Sequence, residues 1–467
     1  MLRNVSVICG QNLQAQPEQP DLANQTFIGN LAALPKHAPM EFIIKYALPV
    51  FYIVIIAWLL QRNKYLKNYG FAPWFIVLFF VGKCFSGLLF SYISMKYIPN
   101  PDMEMFFNDG LHLYQTFMRS PSEFVQLLRK IFDVHDINLM DTKSDFIRAV
   151  FDGIKFFHFI LNLFSFGNFN TNIILFNGIA AYSFLRCWAF LNTYLKTPVA
   201  GIWIFLFPSA FFYTSGMLKE GFTFTIICAM IPLAVKMSRA FTAGKLLSFF
   251  LLFILLFFFK FLNAVTFLAA IFLWAGMLLF PQYKKWTVAG FIVLVMTAFF
   301  TAGFIKPSFN FPQYIINRQI EFLELKANSM LPYTIPEPNF ISFLKALPRA
   351  VNNVLFKPLP GEGGKFIYII YTIEIFGFWA ILFFALAKNK FKMKFRKVSP
   401  LLWSLFLFAL ANLVIIGFTI SNIGAITRYR SIFLPFVGLF CWMAFNGDQL
   451  LPEKLKKRLG YTAALPE

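Results

Sequence analysis

The sequence predicts an all-α membrane protein of about eleven transmembrane helices, with two long extracytoplasmic loops that carry short interfacial helices. Three observations carry that prediction. Of 467 residues, 58% are hydrophobic and only 13% charged, about half the charged fraction of a soluble domain. The apolar residues, Phe above all, gather in runs long enough to cross a bilayer. Lys and Arg collect in alternate connections between those runs, as the positive-inside bias requires. The composition excludes a cytosolic enzyme, a disulfide scaffold and a disordered chain.

In chain order, residues 1–41 are polar, contain four prolines and are expected on the outer side. Residues 42–446 form the polytopic domain. The first dozen residues hold no apolar stretch suited to a cleavable signal, so targeting is expected from the first span. Spans are expected near 42–61, 72–94, 172–194, 198–214, 221–237, 246–259, 262–280, 286–304, 366–387, 401–420 and 431–446. The apolar stretch 155–169 is too short for a crossing and reads as interfacial or re-entrant. The run 246–280 reads as a tight hairpin broken only by Lys260. A basic tail, 447–467, ends the chain.

Sidedness follows from charge. Arg62, Lys64 and Lys67, then Lys236, Arg239 and Lys245, then Lys284 and Lys285, then Lys388 to Lys397 and the tail lysines share one side, expected to be cytoplasmic. The net charge of +21 is thus a topology signal and no nucleic-acid partner is expected, because the clusters form neither one surface nor an aromatic-interleaved stripe. The opposite side holds the long loops 95–171 and 305–365, where acidic residues gather, and short turns near 215–220 and 421–430. Structured loops on one face are where chemistry is housed. Cys9, Cys84, Cys187, Cys228 and Cys441 are scattered without CxxC or Cys/His spacing, so neither metal site nor disulfide framework is expected. No cofactor follows from these residues, and a divalent cation is left open.

Asn100–Gly110 (NPDMEMFFNDG) begins just beyond the second span. Asp102 and Glu104 share a face if the backbone there is extended and diverge by about 200° in a helix; a carboxylate near an apolar interface is suited to accept a proton. Asp109 lies in the same stretch, and a solvated acidic loop start is the plain alternative. At 215–220, Lys219 and Glu220 sit at the outer boundary, paired with each other or with a lipid phosphate. Thr427-Arg428-Tyr429-Arg430 places two arginines at the mouth of an apolar span, costly without anionic partners. A guanidinium fork suits phosphate, while snorkelling anchors are the alternative. Arg349 and Lys357 add cations from the second loop. Glu374, inside a span, is a functional candidate or a structural partner for an arginine such as Arg186. Acid and cations at the outer ends of spans suit transfer of a group from a lipid phosphate to a hydroxyl, and no Walker A or Gly-rich phosphate loop points to a cytoplasmic nucleotide.

These residues resemble the polytopic glycosyltransferases of the GT-C superfamily, which includes the protein O-mannosyltransferase and lipid A aminoarabinose transferase families. The resemblance covers roughly 70–440 as a layout. Asp102 and Glu104 match the early acidic position of the first large outer loop, and Arg428-Tyr429-Arg430 is similar to the basic motif before a late span. Phe164–Asn168 and the Ser-Gly-x-x-Lys-Glu turn at 215–220 look like bacterial members of uncertain substrate.

The resemblance implies a sugar carried on polyprenyl phosphate, inversion at the anomeric carbon and an envelope acceptor (lipid, glycan or protein). Asp102 would be the base with Glu104 as helper. Arg428, Arg430, Lys219, Arg349 and Lys357 would hold the donor phosphate, supported by Asp109, Glu220, Tyr429 and Glu374. A bacterial inner membrane, with the site facing the periplasm, is the expected location. The alternatives are a polymerase or ligase using a diphosphate-linked glycan, and a transporter or flippase of lipid-linked sugar. Transport predicts internal repeats and charges near the bilayer midplane; no repeat is evident, and the charged candidates crowd one face.

Overall fold

The computed structural model describes residues 43–97, 101–132, 145–197, 199–324, 329–364, 366–395 and 398–452, without the side chains of 131–132 and 145–152. The expectations for segment 1–41, Asn100, the part of the acidic first loop at 133–144 (with Asp133, Asp136 and Asp141), Arg396, Lys397 and the tail from residue 453 lie outside the described residues. The chain divides into two units, 1–50 and 51–467. Of the first, residues 43–50 are a π-helical turn, Ile43–Ala47, entering the opening turn of α1 (Leu48–Arg62).

The second unit is helical throughout, and among the described residues its one β-type contact is an isolated bridge between Met330 and Asn422. After α1 come α2 (Lys64–Asn68), α3 (Pro73–Tyr97), α4 (Asp102–Arg119), α5 (Pro121–Phe132), α6 (Asp145–Ser165) and α7 (Phe169–Leu195). Then follow α8 (Ala200–Phe205), α9 (Pro208–Tyr213), α10 (Lys219–Arg239), α11 (Ala243–Phe259), α12 (Phe261–Leu279) and α13 (Lys284–Ile305). The last are α14 (Phe311–Glu324), α15 (Phe340–Leu355), α16 (Phe366–Lys388), α17 (Pro400–Thr419), α18 (Ile423–Arg430) and α19 (Leu434–Ala444).

Eight helices among the described residues are long and apolar enough to cross a membrane: Ile43–Arg62, α3, α7, α10, α12, Pro281–Ile305, α16 and α17. Three of the eleven expected spans differ. The stretch 246–259 belongs to a helix of 17 residues and 431–446 to one of 11. The stretch 198–214 is two six-residue helices broken at Leu206–Phe207, because Pro208 supplies no N–H to continue α8 and instead opens α9 at its first position.

The first long loop contains α4 to α6. Buried Met103, Phe106, Phe107, Gly110, Leu113 and Thr116 form one stripe of α4 at helical spacing, and that stripe packs on α6. Of the apolar stretch expected at 155–169, residues 155–165 form the second half of α6, 166–168 the turn after it, and Phe169 opens α7.

Ring contacts set the two ends of the spans apart. Lys236 and Arg186 both lie over the Tyr65 ring, at 5.1 and 5.4 Å, so the basic turn at α2 adjoins the C-terminal end of α10. The N-terminal end of α10, about 30 Å away at 1.5 Å per residue, carries Glu220.

The turn 214–218 before α10 is wedged into the core. The Asn177 amide donates to the Ser215 carbonyl at 2.9 Å, and Lys83, buried in α3, donates to Thr214 Oγ1 at 3.1 Å and Ser215 Oγ at 2.9 Å. Both hydroxyls donate in turn to carbonyls four residues back, which leaves their lone pairs facing Lys83. The fit leaves no room at Gly87, where a Cβ would stand 2.5 Å from the Ser215 oxygen.

Candidate functional site

The site is built where the ends of α4, α10 and α18 meet the break between α11 and α12. Helix α18 is set by its N-terminus: Asn422 accepts from Gly424 N–H at 2.8 Å, an N-cap that satisfies an otherwise orphaned donor. The segment 329–331 clips the same point, with Leu331 N–H donating to Ser421 O at 2.7 Å and Ile423 N–H to Ser329 O at 3.1 Å. Two residues apart near the end of α18, Arg428 and Arg430 point differently. Arg428 turns toward α4 and α10, while Arg430 turns inward.

An alternating chain of charges results. Arg428 Nη1 lies 3.0 Å from Asp102 Oδ2, and its Nε lies 3.7 Å from Glu220 Oε2. The other Glu220 oxygen accepts from Lys260 Nζ at 2.7 Å. Lys260 and Arg428 share the Tyr429 ring, at 4.1 and 4.8 Å from its centre, and Arg428 Nη2 also donates to the Tyr429 hydroxyl at 2.9 Å. Exposure is graded across the chain: the side chain of Glu220 is 2% exposed, Lys260 18%, Arg428 23% and Asp102 48%. The buried carboxylate is held between two cations, as burial of a charge requires, and Asp102 is its accessible end.

Asp102 and Glu104 are not a pair. Helix α4 begins at Asp102, after Pro101, so the two side chains diverge. Both acids favour the positive end of the helix dipole; among the described residues Glu104 makes no ion pair, and Asp109 is bound to Lys155 at 3.1 Å. Lys219 lies 5.3 Å from the centre of the Phe106 ring, within electrostatic reach of Lys260, Glu220, Arg318 and Asp102.

Four expected residues are occupied elsewhere. Arg430 is 3% exposed. It donates to the carbonyls of Val354, at 3.1 Å, and Lys357, so its guanidinium ties α18 to the end of α15 instead of facing an exterior anion. Burial lowers its pKa to about 10, against the pull of Glu374, and it remains a cation at neutral pH. Lys357 is bound to Glu362. Arg349 donates to Thr334 Oγ1 at 2.6 Å and Tyr333 O at 3.1 Å, beside a small polar cavity that Gln319 and Asn353 also line. Glu374 accepts from Ser209 N–H at 2.9 Å, capping α9; Arg186, its expected alternative partner, lies against Tyr65.

Sequence reasoning missed Lys260 and Arg318 as members of this neighbourhood. The signal for Lys260 was present: a single cation interrupts the long apolar run 246–280 and requires an anionic partner. Arg318 sits on α14, paired with Glu321 at 2.6 Å, and α14 meets α18 through Phe322 and Tyr429, whose ring centres are 6.3 Å apart. No three His, Cys, Asp or Glu residues among the described residues come together as a metal site. The cluster therefore offers an accessible carboxylate against an anchored guanidinium, with a second cation close by. Such a set can accept a proton and hold a phosphate.

No family model, no curated protein and no solved structure matches the chain.

Proposed function

We propose that the protein is an integral membrane glycosyltransferase that moves a sugar from a polyprenyl-phosphate donor to a hydroxyl of an envelope acceptor. The reading has the basic turns in the cytoplasm and the Asp102–Arg428 end outside, as in a bacterial inner membrane. The single observation that carries it is the 3.0 Å contact of Asp102 with Arg428, a carboxylate and a guanidinium together at one helix-end junction, which supports reading them as base and anion-holder.

In the resting state the two neutralise each other. The donor phosphate competes for Arg428 through a forked, charge-assisted hydrogen bond and frees the Asp102 carboxylate. The acceptor oxygen then attacks the anomeric carbon. Its new C–O bond forms as the bond from that carbon to the phosphate oxygen breaks; the electron pair leaves with the phosphate, and the acceptor proton passes to Asp102. Arg428 stabilises the charge gathering on the leaving phosphate, and attack opposite to departure inverts the anomeric configuration. Glu220 stays beneath, holding the guanidinium in place.

The test is transfer of a radiolabelled sugar from a polyprenyl-phosphate donor by the purified protein. Arg428→Ala is expected to weaken donor binding about tenfold or more, the loss of a hydrogen bond to a charged group. An unchanged dependence on donor concentration would refute the reading.

One observation favours transport of a lipid-linked sugar as a second reading. Lys83 is fully buried within a span, against Phe211 of α9 and the turn that follows it, next to a broken helix pair, a feature of transporter sites. Transfer by detergent-solubilised protein, which has no two compartments to connect, separates the two.

A further inference from the structure

We infer that Lys260 is a second phosphate ligand of this site, acting with Arg428 across the ring of Tyr429; the inference rests on the phosphate-binding reading above and extends it to a residue outside the resembling motifs. Lys260 is the break between α11, apolar without interruption from Phe249 to Phe259, and α12, which has no charged residue. A lysine there is costly unless an anion meets it. In the resting structure that anion is one oxygen of Glu220, at 2.7 Å.

Glu220 is shared, since its other oxygen faces Arg428. One carboxylate thus serves two cations, and the balance is completed by Asp102, the most exposed member of the chain. Both cations lie against the Tyr429 ring, at 4.1 and 4.8 Å from its centre, so they are no further apart than those two distances together. The electron-rich ring eases their mutual repulsion.

An anion that displaces Asp102 from Arg428 arrives beside Lys260. A phosphate monoester or diester has separate oxygens for the two cations, each bond about 2.8 Å long. A carboxylate brings less charge and has already been accommodated as Glu220. Lys260 can turn one of its three donors outward while Glu220, buried, keeps another. The ligand chemistry is therefore a phosphate held by a lysine and an arginine over one tyrosine. A lipid headgroup and a free phosphate ion both satisfy it.

The experiment measures binding of farnesyl phosphate, and separately inorganic phosphate, to the full chain in detergent by titration calorimetry at two salt concentrations. Lys260→Met is expected to weaken farnesyl phosphate about tenfold and to flatten the salt dependence, with Lys260→Arg restoring most of it. The same loss for inorganic phosphate supports recognition of the phosphate alone; a loss seen only with farnesyl phosphate supports a lipid headgroup. Wild-type affinity in Lys260→Met, with binding lost in Arg428→Ala, overturns the role of Lys260 and leaves the phosphate reading standing. No binding of either compound to the wild type overturns both. If Lys260→Met does not fold, Tyr429→Leu keeps both charges and removes their shared platform; unchanged affinity in that variant overturns the inference.

Discussion

Asp102 Oδ2 stands 3.0 Å from Arg428 Nη1, so the first turn of α4 and the last turn of α18 meet in one ion pair. Arg428 is further backed by Glu220, which is buried, while Asp102 has nearly half its side chain in the open. That asymmetry decides which partner yields to an incoming anion. Displacing Asp102 returns a carboxylate to water, whereas displacing Glu220 would strand a charge in the interior.

Asp102→Asn is expected to lower sugar transfer by about 10²–10⁴-fold, the usual contribution of a positioned base. Its effect on stability should stay within about 1 kcal/mol, because Asp102 is nearly half exposed and Glu220 still neutralises Arg428. Glu104→Gln, on another face of α4, should leave transfer near the wild-type rate. Turnover at saturating donor together with thermal melts checks both, and equal losses in the two variants would contradict the geometry.

Arg430→Met should behave in the opposite way. Removing the guanidinium leaves the Val354 and Lys357 carbonyls without their donor, at about 1–3 kcal/mol for a buried unsatisfied group. The melting temperature should fall, while the folded fraction keeps its donor KM. A raised KM at unchanged stability would restore Arg430 to the phosphate site.

The two arginines show what a sequence carries and what it withholds. That Arg428 and Arg430 require anionic or polar partners was legible, since charge at the mouth of an apolar span is costly. Which arginine faces out and which faces in depends on the rotation of α18, set by the Asn422 cap and the 329–331 clip, and contacts across such distances leave no local signature. The helices themselves follow apolar runs and were readable wherever a run was long. The expected span 198–214 failed because Pro208 splits it. The Asp102–Glu104 pairing failed because Pro101 starts a helix where an extended segment was one of the options. Lys260 was seen as a break but not as a partner of Glu220, a pairing that exists only once α10 packs on α11.

His158, on α6 and outside the eight spans, supplies a pH prediction. Burial lowers its pKa from 6.5 to about 3, against a smaller raising influence of the Met217 backbone. Between those values the unfolded chain binds more protons than the folded one, so stability rises with pH across that window and is lost as pH falls from 6.5 toward 3. The slope is about 1.4 kcal/mol per pH unit from this residue alone. His158→Leu should flatten the dependence of the melting temperature between pH 6.5 and 4.5; an identical slope in both proteins would rule the residue out as its source.

Gly87 links the packing of the core to the chemistry. A methyl group there would stand 2.5 Å from the Ser215 carbonyl oxygen, 2.8 Å from Ile173 and 2.9 Å from the Asn177 amide. The obstacle includes backbone, which cannot rotate aside, so Gly87→Ala must push the turn 214–218 out of its seat. That turn feeds directly into Lys219 and Glu220, and Glu220 sets the position of Arg428. Overpacking of this kind costs about 1–3 kcal/mol, and here the strain falls on the element that carries the shared counter-ion. Gly87→Ala is therefore expected to lower both the melting temperature and the affinity for farnesyl phosphate, although Gly87 lies on α3 and touches no charged member of the site. A control separates the two effects. Gly244→Ala meets nothing within 4 Å and should change neither quantity, so a loss of affinity confined to Gly87→Ala shows that the turn positions Glu220. Full affinity in a destabilised Gly87→Ala protein would show instead that the seat of the turn and the geometry of the charge chain are independent.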